Sequence, residues 1–251
     1  MKYVAGLAVL GVMCTSAPAF AQVDPVIRVD ASLSTSTVSD GLPDWRESLI
    51  ALSRQFGDGW AGAVKVESQS RFDKHDTYVE LRFDRTFSNG AFYLATGGAA
   101  DAEFRPEVAI KAGGSLDLGR ARGATLLIID ADVSHFANSD VYAFRVGIDQ
   151  LLTTNGWRAS LQAVSVAERD GRALLGFVAR SEFPIGPRLS GRIGYADAPE
   201  TSEGVVVRVK GWNGGLRFDV NDSWLIRMDL THEDRGFYTR DEVSAGVAYR
   251  F

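Results

Sequence analysis

The 251-residue chain has one cysteine, Cys14, inside a first segment expected to be removed, so neither a disulfide framework nor thiol chemistry is expected of the mature chain. Proline is scarce at 7 residues, which excludes a collagen-like or polyproline chain. No window approaches the roughly 18 consecutive apolar residues of a spanning helix. Also missing is the three-to-four-residue apolar period of amphipathic helices. Cations are not in excess either: 27 Lys and Arg face 32 Asp and Glu, a net charge of -5, so nucleic acid is not an expected partner. What remains is a chain with 45% apolar and 10% aromatic residues, enough to fold.

The first segment, MKYVAGLAVLGVMCTSAPAFAQ, places Lys2 before an apolar run from Val4 to Val12 and small residues Ala19 and Ala21 around Phe20. This is the order of a secretory signal, and cleavage is expected after Ala21. Residues 1–21 then form the signal peptide and 22–251 a single domain.

Beyond it, apolar residues recur at every second position. Ile27, Val29, Ala31 and Leu33 alternate with Arg28, Asp30, Ser32 and Ser34, and Val79, Leu81 and Phe83 with Glu80, Arg82 and Asp84. Trp224, Ile226, Met228 and Leu230 alternate with polar residues in the same way. Such segments are strands with one apolar and one polar face. Tight breakers at Gly57–Gly59, Ser88–Gly90, Gly119–Gly123, Thr153–Gly156, Pro184–Pro187 and Asn221–Ser223 interleave with looser stretches at Ser36–Pro43, Phe72–Asp76, Asp101–Arg105, His135–Ser139, Glu168–Gly171, Ala198–Glu203 and His232–Asp241. The fold expected is all-β: a transmembrane antiparallel up-and-down barrel of about 14 strands, with 12 as the alternative, and both chain ends on the short-turn side. Near Asn213, Gly214 and Gly215 the apolar parity changes from Val205, Val207 and Val209 to Leu216 and Phe218, which predicts a β-bulge.

Aromatic residues gather at the strand ends beside the short turns: Phe56, Trp60, Phe87, Phe92, Trp157, Phe183, Trp224, Tyr249 and Phe251. Trp45, Phe72, Tyr142 and Tyr195 fall toward the opposite rim. These positions suit the two interfacial girdles of a membrane barrel. The final strand ends on Phe251 itself, the ending by which the barrel assembly machinery of the outer membrane is expected to receive it. In lipid the apolar face points outward, so the charged face becomes the lumen. Its expected members are Lys65, Glu67, Glu80, Arg82, Asp84, Asp130, Asp132, Arg145, Arg180, Glu182, Arg188, Arg192, Arg208, Lys210, Arg227 and Asp229.

The stretch from Trp45 through Leu118 resembles the YaiO family of outer-membrane β-barrel proteins. A glycine turn precedes a strand ending in Arg71 and Phe72, a strand bearing Tyr78 follows, and a loop with Phe104 and Pro106 leads into a glycine-bearing strand. The resemblance implies a single barrel in the outer membrane of a Gram-negative cell and brings no catalytic residues. The expected role is non-enzymatic: a pore for, or a binding or accessory protein of, a small polar or saccharide-like solute or surface polysaccharide export. Outer-membrane lipid is the expected surrounding partner, and no cofactor or metal is expected. The alternatives are an outer-membrane hydrolase acting on lipid or lipopolysaccharide, using Ser134 with His135 or His232 with Glu233, and a soluble periplasmic β-protein. The G-x-S-x-G nucleophile signal is absent.

Overall fold

The computed structural model describes residues 26–119 and 124–251. The expected signal segment with Cys14, and residues 120–123 of one short turn, lie outside the described residues. Fourteen strands follow one another: β1 (Ile27–Val38), β2 (Trp45–Gly57), β3 (Trp60–Arg71), β4 (Lys74–Phe87), β5 (Gly90–Ala99), β6 (Val108–Asp117), β7 (Thr125–Phe136), β8 (Ser139–Leu151), β9 (Arg158–Glu168), β10 (Leu174–Pro184), β11 (Leu189–Ser202), β12 (Val205–Asp219), β13 (Trp224–Asp234) and β14 (Thr239–Arg250). Each pairs antiparallel with its neighbours in sequence, and β1 closes on β14. The seam runs from Arg28 opposite Arg250 to Val38 opposite Arg240, and the Phe251 N–H donates to the Ile27 carbonyl at 2.9 Å. Closure leaves no sheet edge, which is what lets strands cross a bilayer with every backbone group paired.

Every strand contributes large apolar side chains to the outside, from Leu33 and Ile50 through Leu81, Ile110 and Ile193 to Ile226. Leu81 is 45% exposed while its neighbours Glu80 and Arg82 turn inward. A soluble sandwich would bury this set in a core. Here the set forms a continuous apolar belt, the inside-out arrangement of a transmembrane barrel, and the alternation of the sequence is the two faces of one wall.

Three of the looser stretches are not loops. Phe72 and Asp73 alone join β3 to β4, both at positive φ (47° and 63°), and Glu203 with Gly204 joins β11 to β12 in the same way (49° and 79°). These are the paired left-handed residues of tight hairpins. Ala137 and Asn138 suffice between β7 and β8. The polar residues there continue the strands past the apolar belt, so polarity marked height above the bilayer, not departure from the sheet.

The bulge expected near Asn213 is absent: β12 keeps an unbroken register with both β11 and β13. Val209 points inward at 3% exposure, whereas Leu216 and Phe218 point outward. The apolar parity changes because the lumen itself becomes apolar along that stretch, with no shift in the backbone. Gly215 has another cause. A Cβ on Gly215 would land on the Asp229 carboxylate, so glycine leaves room for the inward pair of Arg192 and Asp229. A register irregularity does occur in β2, between Gln55 and Gly57.

Candidate functional site: a lumen half lined and half filled

The pleat fixes which side chains enter the barrel. In the half nearer the short turns, inward residues form a ladder of ion pairs. Arg28 meets Asp30 at 2.6 Å and Arg82 meets Asp84 at 2.6 Å, each pair two residues apart on one strand and therefore on one face. Across strands, Arg145 reaches Asp132 at 3.0 Å, Arg192 reaches Asp229 at 2.6 Å and Arg227 reaches Asp30 at 3.8 Å. At the border with the other half, buried Glu67 binds Lys65 at 2.7 Å and buried Glu80 binds Lys111 at 2.6 Å. Tyr93 donates to Asp130 at 2.7 Å, with the Arg82 guanidinium 3.8 Å from the Tyr93 ring centre. Arg180 and Glu182 share the inner face of β10. Water reaches much of this ladder: the Arg192 and Arg28 side chains are 36% and 25% exposed. At the turn-side rim a cavity of about 300 Å³ opens between Arg217, Asp219, Leu225 and Arg250.

The other half is filled. Loop 100–107, between β5 and β6, folds into the barrel, and the Asp76 carboxylate accepts the backbone N–H groups of Glu103, Phe104 and Arg105 at 2.9, 2.9 and 2.7 Å. Arg105 then donates to Glu67 at 2.7 Å, with its guanidinium 4.8 Å from the Tyr78 ring. Loop 235–238, between β13 and β14, enters beside it. Trp45, Phe72 and Tyr238 meet edge to face with centroids 5.5 to 6.1 Å apart. Arg235 pairs with Glu200 and Glu233, and Arg240 with Glu233 and Glu242, all within 2.9 Å. Burial works against the Arg235 charge, but Glu200 and Glu233 more than restore it and raise its pKa above the ordinary arginine value. Burial also pushes the Tyr238 phenol up. Against the opposite wall, Phe136, Val141, Ala143, Val164, Val166 and Ala198 form a dry apolar cluster, and there β12 comes within 8 Å of β8 and β9. Together the two fillings occupy the loop end of the barrel with buried side chains.

Among the charged residues expected inside, three lie elsewhere. Arg208 and Lys210 share the outer face of β12 with Trp212, where Arg208 pairs with Asp197, also on the outer face. The apolar parity there belongs to the interior, so the charges face out, above the belt. Arg188 sits in the turn before β11 and donates to the Val220 carbonyl at 2.8 Å. Two residues expected at the upper girdle, Trp45 and Phe72, are plug core: Trp45 lies opposite Ser36 on the inner face and is 2% exposed. Tyr142 and Tyr195 remain exposed on the outside. At the turn side, Trp60, Phe87, Trp157 and Trp224 are outward and half-exposed, Phe56 and Phe251 more so, and Phe183 less. Trp224 packs on Tyr249 at 4.7 Å, and Tyr249 on Phe251 at 4.6 Å.

The hydrolase pairs do not assemble. Ser134 faces inward while His135 faces outward to Asp140 at 2.5 Å, and His232 faces outward to Asp241 at 2.7 Å while Glu233 is buried inside. Successive residues of a strand point to opposite faces, so adjacency in sequence separates them. His75 bridges Ser70 and Ser68 at 3.0 and 3.3 Å on the outer face without a carboxylate on either ring nitrogen. Among the described residues no group of three His, Cys, Asp or Glu is set to hold a metal ion.

The plug residues Asp76, Arg105, Arg235 and Arg240 escaped sequence reasoning. Arg71 and Asp76 continue the parity of Glu67 and Glu80 and were within its reach; Arg105 and Arg235 are loop residues with no periodic signal.

The closed sheet, the outward belt and the charged lumen define an outer-membrane type of β-barrel. No family model matches the sequence, and no curated protein sequence is similar to it. Solved structures share the fold. The outer membrane protein Omp33 of Acinetobacter baumannii superposes with a TM-score of 0.58 at 10% identity, covering 90% of this chain and 99% of that one. A bacterial polysaccharide outer membrane secretin gives 0.59 at 10% identity, covering 90% and 98%, and Salmonella typhi OmpF gives 0.52 at 9%, covering 91% and 97%.

Proposed function

We propose that this chain is a non-enzymatic barrel of the Gram-negative outer membrane, exported through a signal cleaved after Ala21. Its lumen binds or passes a small polar or saccharide-like solute from the turn side and is held shut at the loop end. The observation that carries this reading is the contrast within one lumen. A partly exposed ladder of paired charges lines the turn half, and a latched loop with buried charges and an apolar cluster occupies the loop half. Paired opposite charges around a wet passage suit solutes with many hydroxyls, which exchange hydrogen bonds with water at little cost. The shared fold and the apolar belt support the location. The turn-side aromatics would sit at headgroup level, and the C-terminal strand ending at Phe251 would be the element received by the barrel assembly machinery. A YaiO-type relationship belongs to the same proposal and is supported by the Trp45 to Leu118 motifs.

The test is planar-bilayer conductance and liposome swelling in small sugars, comparing the wild-type protein with a variant whose residues 101–105 are replaced by a short Gly-Ser link. The shortened plug should conduct and admit sugars while wild type carries far less. A silent variant that is folded, or lipid hydrolysis by the wild-type protein, would contradict the reading.

A further inference from the structure

Four arginines meet at the plug, and three have carboxylates. Arg105 has Glu67, Arg235 has Glu200 and Glu233, and Arg240 has Glu233 and Glu242. Arg71 has none. Its side chain is 1% exposed, and its Nε and Nη2 are buried without a hydrogen-bond partner. The nearby carboxylate on the inner face of β2, Glu47, is hydrogen-bonded to Gln69 at 2.6 Å. A buried cation whose donors meet no acceptor is a costly arrangement in a protein interior.

The two bare nitrogens are not arbitrary. Nε and Nη2 form one side edge of the guanidinium, the fork that receives two oxygens of a carboxylate or phosphate in plane. Trp45 lies 4.3 Å and Phe104 5.3 Å from the Arg71 Cζ, holding the group by ring contacts that take up none of its N–H donors. Further buried donors without partners lie on the residues around it: Trp45 Nε1, Arg105 Nε and Arg235 Nη1. The Arg235 and Arg240 guanidinium carbons stand 5.6 and 4.9 Å from the Trp45 ring centre.

We infer that the plug holds a site for a compact oxyanion, bound two-pronged by Arg71, and that the anion supplies the acceptor oxygens the chain itself does not bring to Nε and Nη2. A free phosphate or sulfate offers this chemistry, and so does the acid group of a uronate-like sugar. The inference rests on the lumen reading above and gives that lumen an acidic class of ligand.

The experiment uses the full barrel in detergent and follows its unfolding temperature in phosphate, sulfate or glucuronate against chloride at equal ionic strength. Wild type should gain about 5 °C at saturation. Arg71→Met should lose that gain and, in chloride alone, be as stable as wild type or more so, since the buried donors without acceptors are gone. Should Arg71→Met not fold, Trp45→Phe removes one donor and should weaken half-saturation about tenfold. Gain in phosphate and sulfate alone assigns a free inorganic ion, and gain in glucuronate assigns the sugar acid. No anion-specific gain in wild type, an equal gain in Arg71→Met, or unchanged half-saturation in Trp45→Phe overturns the site. A plug-shortened barrel that conducts while wild type shows no anion gain sinks this inference alone. An anion gain beside a silent shortened barrel sinks the conduit reading instead.

Discussion

Replacing Asp76 with alanine should unlatch the lumen. Its carboxylate, 2% exposed, accepts three backbone N–H groups of the inward loop at 2.7 to 2.9 Å. In Asp76→Ala the loop either stays and leaves three buried donors unpaired, or swings out and hydrates them. At a net cost of about 1 kcal/mol per lost bond, the closed state loses about 3 kcal/mol relative to the open one. With 1.4 kcal/mol per decade, the open fraction rises roughly a hundredfold. Arg105 with Glu67 and the Phe104 ring still hold the loop, so the change is in open probability and not in barrel stability. Single-channel recording reads it directly: longer and more frequent openings at unchanged unit conductance. Adding Glu67→Gln should increase the effect further. A folded Asp76→Ala barrel with wild-type open probability would refute the latch.

Other substitutions test the two faces and the plug. Leu81→Arg or Ile226→Arg puts a charge into the belt and should cost about 2 to 4 kcal/mol of insertion at mid-depth, measured by refolding into vesicles, whereas Arg82→Leu should insert normally. Arg240→Ala strips Glu242 of its cation and Glu233 of one of two, and should lower stability by about 3 kcal/mol on denaturant titration; adding Glu242→Gln should recover part of that. Gly215→Val drives a side chain into the Asp229 carboxylate and should break its pair with Arg192, lowering the temperature at which the barrel unfolds on gels.

The strand count and the closed barrel were legible because period-two alternation is written in strands such as β1, β4, β13 and β14 and tight turns punctuate the chain. The face assignment followed from the placement of aromatics. What misled was local polarity. Polar stretches at Phe72–Asp76 and Ala198–Glu203 read as loops because a strand rising out of the bilayer loses its apolar face while keeping its backbone pairing. Arg208 and Lys210 read as lumen residues because Val209 between them looked like belt, when it belongs to the interior cluster side of the wall. The plug was illegible for a different reason. Arg105 and Arg235 come from loops, and only tertiary folding brings them to Glu67 and Glu200.

Thiol labelling of the barrel 22–251 tests the inside-out wall most directly, since Cys14 is the chain's one cysteine and leaves with the expected signal segment. Single cysteines at Leu81, Asp229 and Glu67 would be exposed in proteoliposomes to a charged, water-soluble reagent and to a lipid-soluble one. Leu81→Cys should react only with the lipid-soluble reagent, Asp229→Cys with the charged one, and Glu67→Cys with neither until Asp76→Ala is added. Ready labelling of Leu81→Cys by the charged reagent, or of Glu67→Cys in the latched barrel, would contradict it.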